Sequence, residues 1–408
     1  MKNSKRLLWI LLVMLVLLAA ACNTTPMEPE IELPEPEQPA PTPAESKELN
    51  IETWEIGDNW TYSSQAIWGD VLVGLEYELE RGIRVKQYIT TYNLRTREKE
   101  LVYKLPPGRL TEKAPAVYGS RVVWASVDRN EAERQRSIRG APMPNWDVFL
   151  LDLDSGDIQQ ITSETNAQIC PVIYGDTVVW LDTRHVEEGQ RLLGYHIYAY
   201  DIISKQEKRI TSAPTVSSWD LGISGNLVVW QDNRHVEPRR GKHPPEAPDD
   251  NEIYLYDLAA GWEQRITNNK ANDASPIISG NTIAWIRQPA FREADIFVYN
   301  LETGKEKQIS RSGYAISQFA PSYYEGRIVW TDARSSLGNA ASDTVINGRQ
   351  GQTDIYLYDL ETRQETKLTS TVPGKVMQSP IIYGDYVVYQ WVGFPGYMVY
   401  GVKLTSEE

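Results

Sequence analysis

Hydrophobic and polar positions alternate in four short runs between residues 170 and 211: Cys170–Tyr174, Thr177–Leu181, His196–Asp201 and Glu207–Thr211. The runs are rich in Val, Ile, Tyr and Trp and are bounded by turn residues, which is the pattern of strands. Tyr174-Gly175-Asp176 and Ile203-Ser204-Lys205 are short enough to join neighbouring runs as antiparallel hairpins. The segment therefore predicts a four-stranded meander, with strands A to D in chain order. One such sheet cannot cover its own faces, so the pattern should recur.

It does recur. Pro171 and Trp180 stand nine positions apart, and the same spacing joins Pro115 to Trp124, Pro276 to Trp285, Pro321 to Trp330 and Pro380 to Tyr389. Before Trp230 the place of the proline is held by Leu221. A strand C of one type follows: DVFLLDL from Asp147, EIYLYDL from Glu252, DIFVYNL from Asp295, DIYLYDL from Asp354 and a weaker YMVYGVKL from Tyr397. An eroded first copy lies in AIWGDVLVG from Ala66 and YITTYNL from Tyr88. Seven units of about four strands predict an all-β chain, a seven-bladed β-propeller of four-stranded antiparallel blades, with six blades as the runner-up. Proline cannot donate to a ladder, so strand A should be the inner edge lining the channel and strand D the outer edge. The last unit ends after a strand C at Tyr397–Leu404, whereas Glu48–Thr53 precedes the first unit and resembles the D strands. Glu48–Thr53 is expected to complete the seventh blade and close the ring, burying Leu49 and Ile51.

Composition alters this picture mainly at the N-terminus. Residues 1–22 carry Lys2, Lys5 and Arg6, then an apolar run Leu7–Leu18, then Ala19-Ala20-Ala21 before Cys22. This resembles a bacterial lipoprotein signal, with Cys22 as the lipidated residue, although the usual leucine three places before the cysteine is Ala19. An ordinary secretory signal cut near Ala21, or an uncleaved anchor, are the alternatives. Residues 23–47 alternate Pro and Glu with no aromatics and read as a disordered tether. The expected organisation is thus a signal over 1–22, a tether over 23–47 and a propeller over 48–408, lipid-anchored on the extracytoplasmic side of a bacterial cell membrane. Residues 1–22 carry +3 and residues 23–48 carry −6 of the net charge of −14, which leaves about −11 on the ring. So acidic a surface argues against nucleic acid and against adhesion to anionic lipid headgroups. Contact with the membrane is expected through the Cys22 lipid alone, and the protein is expected to be a monomer. With Cys22 lipidated, Cys170 has no partner for a disulfide, and its slot holds Ala114, Ser275, Ala320 and Ser379 in other units. That is a packing position rather than a nucleophile's.

In a meander the short A–B and C–D turns share one face, and the B–C and D–A connections share the other. Long B–C loops run at about Arg129–Asn145, His235–Asn251 and Arg334–Thr353. Functional residues concentrate on variable loops, so a site is expected on that face or in the channel mouth. Asp182-x-Arg184, Asp232-x-Arg234 and Asp332-x-Arg334 recur directly after strand B, with Asp128-Arg129 as a variant. They read either as charged ligands around the mouth or as inter-blade ion pairs or loop-capping aspartates repeated with the scaffold. His185 and His235 occupy equivalent places in two units. A metal or acid–base role would need further convergent ligands, and no metal or cofactor is expected. Trp219, with Trp54, Trp60, Tyr314 and Phe319, could stack on sugars or plug the gaps between blades. The chain holds no GxSxG elbow, Walker loop or HExxH motif, so catalysis is not expected.

The repeated unit, PxIYGDxVVWxDxR followed by DIYLYDLxTGxxxxIT, resembles the TolB-like propeller repeat and the propeller repeats of bacterial and archaeal cell-surface proteins. The resemblance covers nearly everything after the tether and is specific for fold and weak for function. TolB has six blades, an additional N-terminal domain and no lipid, so its role is not carried over. The resemblance implies a binding or scaffold module for an envelope protein or a glycan. Some relatives are enzymes, including a polysaccharide lyase, but that lyase's metal-site histidines are not matched residue by residue here. The alternative reading is a carbohydrate-active propeller enzyme, lyase or hydrolase, with its site at the channel mouth.

Overall fold

The structure, a computed structural model, describes residues 49–406 apart from 59, 65, 81–82, 112, 138–142, 186–194, 213–219, 235–250, 291–292, 312–319, 335–352, 371–375 and 394–395. The signal, Cys22 and the tether lie outside the described residues, as do Trp219 and His235. The described chain is a seven-bladed β-propeller, each blade an antiparallel sheet in the order A, B, C, D. Blade 3 shows the plan: Gln168–Tyr174, Thr177–Asp182, His196–Asp201 and Gln206–Arg209. Gly175, at φ 58°, supplies the left-handed position of its A–B turn. Strand A is innermost, and Pro171, Pro276 and Pro380 line the channel. The residue before each of these prolines, Cys170, Ser275 or Ser379, has φ of 53–54° at a bulge in the A–B ladder. The bulge turns strand A toward the channel and leaves room only for a small side chain there.

One cross-strand aromatic pair is repeated around the ring. Trp124 opposes Phe149, Trp180 opposes Tyr198, Trp230 opposes Tyr254, Trp285 opposes Phe297, Trp330 opposes Tyr356 and Tyr389 opposes Tyr400. Their ring centroids are 5.5–6.1 Å apart with planes within 26°. Such pairs on adjacent strands stabilise a sheet beyond their area burial. Each indole also packs on the preceding blade: Trp180 lies with Val123, Val148 and Leu150, and Trp285 with Val229, Ile253 and Leu255. The core is therefore a series of seams between blades rather than a central mass.

Blade 1 breaks the rule and explains why its repeat looked eroded. The indole slot of its strand B is Gly74, opposite Thr90. The indole comes instead from Trp60, which is buried, donates its Nε1–H to Thr90 Oγ1, and lies where a Cβ on Gly74 would be, at 2.3 Å. Trp60 packs against Val388 and Val399 and so fills the seam between blades 7 and 1.

The ring closes as the sequence predicts, with a longer strand. Leu49–Asp58 forms the outer strand of blade 7 and pairs antiparallel with Gly396–Ser406, from Leu49 opposite Ser406 to Asp58 opposite Met398. The expectation for Ile51 is corrected: it is 37% exposed. It is paired with Leu404 but lies on the outer edge strand, which solvent reaches, as it does the exposed Gln206–Arg209 of blade 3. Packing is supplied by Leu49 on one side and by Trp54 and Ile56 on the other. Trp54 lies against Gly401, whose Cβ would come within 2.4 Å, and its Nε1–H donates to Tyr92 Oη at 3.0 Å. Trp54 and Trp60 are thus packing residues. The Arg129–Asn145 loop also differs from a plain loop: Arg129–Ser137 is a helix, and Asp128 Oδ1 caps it by accepting the Glu131 amide at 3.0 Å.

Candidate functional site

The Asp-x-Arg motifs form clamps inside single blades, not the ion pairs between blades that the sequence suggested. Asp182, Asp232 and Asp332 are fully buried at the end of strand B. Each accepts the indole N–H of the tryptophan two places before it, from Trp180, Trp230 or Trp330, at 3.0–3.1 Å. Each also accepts the backbone N–H of its own arginine at 2.8 Å, which caps the turn leaving the strand. Arg184, Arg234 and Arg334 pair with these carboxylates and reach strand D, where Glu207, Glu263 and Glu365 receive them at 2.5–2.9 Å. The guanidinium planes lie over Tyr198, Tyr254 and Tyr356 at 4.1–4.9 Å. Burial of a carboxylate is costly unless it is paired and fully hydrogen-bonded, and here it is. Blade 5 inverts the charges: Arg287 stands in the aspartate slot and pairs with Asp273 of strand A, directly opposite, at 2.7 Å. Asp128-Arg129, a helix cap, is not a variant of the clamp.

His185 is exposed and lies 5.8 Å, centroid to centroid, from buried His196. Burial holds the His196 pKa below the ordinary value, so its imidazole is neutral. Among the described residues no three His, Cys, Asp or Glu side chains converge on a metal position.

Asp147 opens strand C of blade 2 and is the most strongly shifted carboxyl among the described residues. Its Oδ1 is buried with no hydrogen-bond partner, and Arg109 stands 3.9 Å from its Oδ2. Burial raises its pKa to about 6, with Arg109 opposing the shift. The unfolded chain releases this proton near pH 3.9. Between about pH 4 and 6 the folded state therefore holds the extra proton, and its stability falls as pH rises through that window. Asp147→Asn should raise the melting temperature at pH 7.5, with the gain vanishing near pH 4. A gain independent of pH would contradict this assignment.

The channel widens into two cavities. One of about 400 Å³ lies at the D–A end, lined by Lys113, Cys170, Asp220, Ser379 and Gln390. Asp220 accepts from Ser275 Oγ there at 3.0 Å. Burial pushes the Cys170 thiol up, so the sulfur is a protonated packing group and not a thiolate. The other cavity, about 530 Å³, lies at the A–B turn end. The residue preceding each A–B turn points to it: Trp68, Tyr118, Tyr174, Ser224, Ser279, Tyr324 and Tyr383. Sequence reasoning missed these side chains. The signal was the recurrent Tyr-Gly dipeptide at residues 118, 174 and 383, which reads as a turn.

No family model matches the chain, and no curated protein does. Solved structures do. A prolyl endopeptidase aligns with 86% of this chain at 10% identity and TM-score 0.57, and the chain spans about half (51%) of that protein. The β-propeller domain of the Trilobed protease from Pyrococcus furiosus, described as having an open velcro topology, aligns over 86% of this chain and 96% of its own at 12% identity and TM-score 0.54. TolB from Acinetobacter baumannii aligns over 83% and 81% at 12% identity and TM-score 0.40. At such identities the likeness concerns the β-propeller fold alone. Where the Trilobed propeller is called open, this ring carries a paired strand from each chain end in blade 7.

Proposed function

We propose that the chain is a lipid-anchored, extracytoplasmic binding or scaffold module that holds an envelope protein or glycan and performs no chemistry. The observation that supports this reading most is the division of labour among polar groups. The buried carboxylates at the ends of strand B are committed to clamps, while the A–B end of the channel stays open and is lined, Glu325 apart, by neutral and aromatic side chains. A scaffold built this way offers shape and contact area rather than a poised acid and base. The signal-like segment before Cys22 and the Pro/Glu-rich stretch after it support the anchored, outward placement.

The test is fractionation followed by capture. Wild-type chain should partition with membranes and retain an envelope protein or cell-wall glycan specifically, and Cys22→Ala should leave the membrane fraction or fail to be processed. A normally processed Cys22→Ala chain in an unchanged membrane pool would remove the anchor. Reproducible turnover of a polysaccharide or peptide, lost in His185→Ala or His235→Ala, would replace the binding module with an enzyme.

A further inference from the structure

We propose that the A–B end of the channel is a binding site for an uncharged glycan chain, an inference that rests on the binding-module reading above. Five large aromatic side chains from five successive blades meet there. Tyr174, Tyr118, Trp68, Tyr383 and Tyr324 form an unbroken crescent with successive centroid separations of 4.5, 3.9, 5.6 and 4.3 Å. All five are only partly buried, although neighbouring strand A residues such as Val117, Ile173 and Ile382 are in the core. Large aromatic surface left wetted along an inner wall marks a contact surface.

Blades 4 and 5 interrupt the crescent with Ser224 and Ser279, next to Asn281 and Thr282. Ser224 accepts the Gly280 amide at 2.9 Å, which leaves its hydroxyl proton to donate inward. Tyr118 stands against Tyr174, and Tyr324 against Tyr383 and beside Glu325, and each phenol, with one donor and two acceptor sites, can take a further partner. The cavity thus has an aromatic wall and, across from it, a sector of hydroxyl and amide groups. A pyranose ring has the matching two-sidedness, an apolar face of C–H groups and a rim of hydroxyls.

Charge narrows the ligand. Among the described lining residues Glu325 is the only ionisable side chain apart from the tyrosines, and no cation lines the cavity. The acids at the neighbouring turn tips are neutralised: Asp70 by Arg95 at 3.0 Å, Asp176 by Arg121, and Asp385 by Arg327 at 3.2 Å. A uronate, sulfate or phosphate would lose its hydration with nothing to replace it, so acidic glycans are disfavoured. The volume of about 530 Å³ falls among ordinary ligand pockets of roughly 300–1,000 Å³ and suits a short run of sugar rings rather than a folded partner.

The experiment uses the full chain in detergent, titrated calorimetrically with neutral tetrasaccharides of glucose and of N-acetylglucosamine, with tetragalacturonate and with a proline-rich decapeptide. A neutral tetrasaccharide should bind, and tetragalacturonate should not. Tyr174→Ser and Tyr383→Ser should each weaken binding by about tenfold, the effect of losing one good contact. Both variants should melt like the wild type, because serine is what blades 4 and 5 carry at this position. Ser224→Tyr should also abolish binding by filling the gap. Failure of every neutral tetrasaccharide, binding of tetragalacturonate or the peptide alone, or binding indifferent to these substitutions would overturn the proposal. Capture of an envelope partner that survives Tyr174→Ser and Tyr383→Ser would sink this site and leave the binding module standing. Loss of all capture by the wild type would sink the module itself.

Discussion

A chain that begins at residue 59, without Leu49–Asp58, should not persist as a stable monomer. Removal strips blade 7 of its outer strand and leaves Met398–Ser406 as a long, unpaired edge. It also removes Leu49, Trp54 and Ile56 from the two seams that flank that blade. Burying one large aliphatic or aromatic side chain contributes about 1.5–3 kcal/mol. Three partly buried ones, with their ladder, approach a whole domain's net stability of about 5–15 kcal/mol. A chain beginning at Trp54 keeps Trp54 and Ile56 but loses the ladder from Leu49 to Thr53. It should lose several degrees of melting temperature and aggregate through the exposed edge. Size-exclusion chromatography and thermal melts of chains beginning at Ser46, Trp54 and residue 59 decide it. Equal melting temperatures would rule out closure by this strand.

Trp60→Ala and Gly74→Trp should each destabilise the ring, and together they should compensate. The first empties a buried indole site at the seam between blades 7 and 1, a change that costs about 3–5 kcal/mol. The second forces a new indole into the space Trp60 already fills, since even a Cβ on Gly74 would meet its ring at 2.3 Å. In the double variant the indole returns to the slot that Trp124, Trp180, Trp230, Trp285 and Trp330 use in other blades. A double-mutant cycle in urea should give a favourable coupling of about 0.5–3 kcal/mol. Additive losses would mean that Trp60 is not the stand-in for the missing strand B tryptophan.

That substitution shows where sequence reasoning reached and where it stopped. Six blades were legible because Trp or Tyr on strand B and an aromatic on strand C must meet across one ladder, which fixes their spacing. Blade 1 reads as eroded because its indole arrives from outside the repeat. The Asp-x-Arg motif was legible as a pattern, but its acceptors were not. Glu207, Glu263 and Glu365 lie 23, 29 and 31 residues after their arginines, a distance set by loops of unequal length. Three of the five crescent residues were in plain view as Tyr-Gly, yet a turn residue's direction depends on bulges that no local pattern reveals. Ile51 was expected inside because Glu48–Thr53 resembles the other D strands, yet in this strand Leu49, Trp54 and Ile56 take the packed positions and Ile51 faces solvent.

The pairing of Leu49 with Ser406 also sets a clock on folding. The closing strand leaves the ribosome early, and its partner, Gly396–Ser406, is made some 350 residues later. At about 5–20 residues per second that interval is roughly 20–70 s. For that time the earliest strand has no ladder to join, and the contact that completes the ring is the one with the greatest sequence separation. The newborn chain must stay unassociated for longer than any single blade needs to form. Its strand carries Glu52 and Glu55, charges that discourage pairing with the wrong edge while it waits.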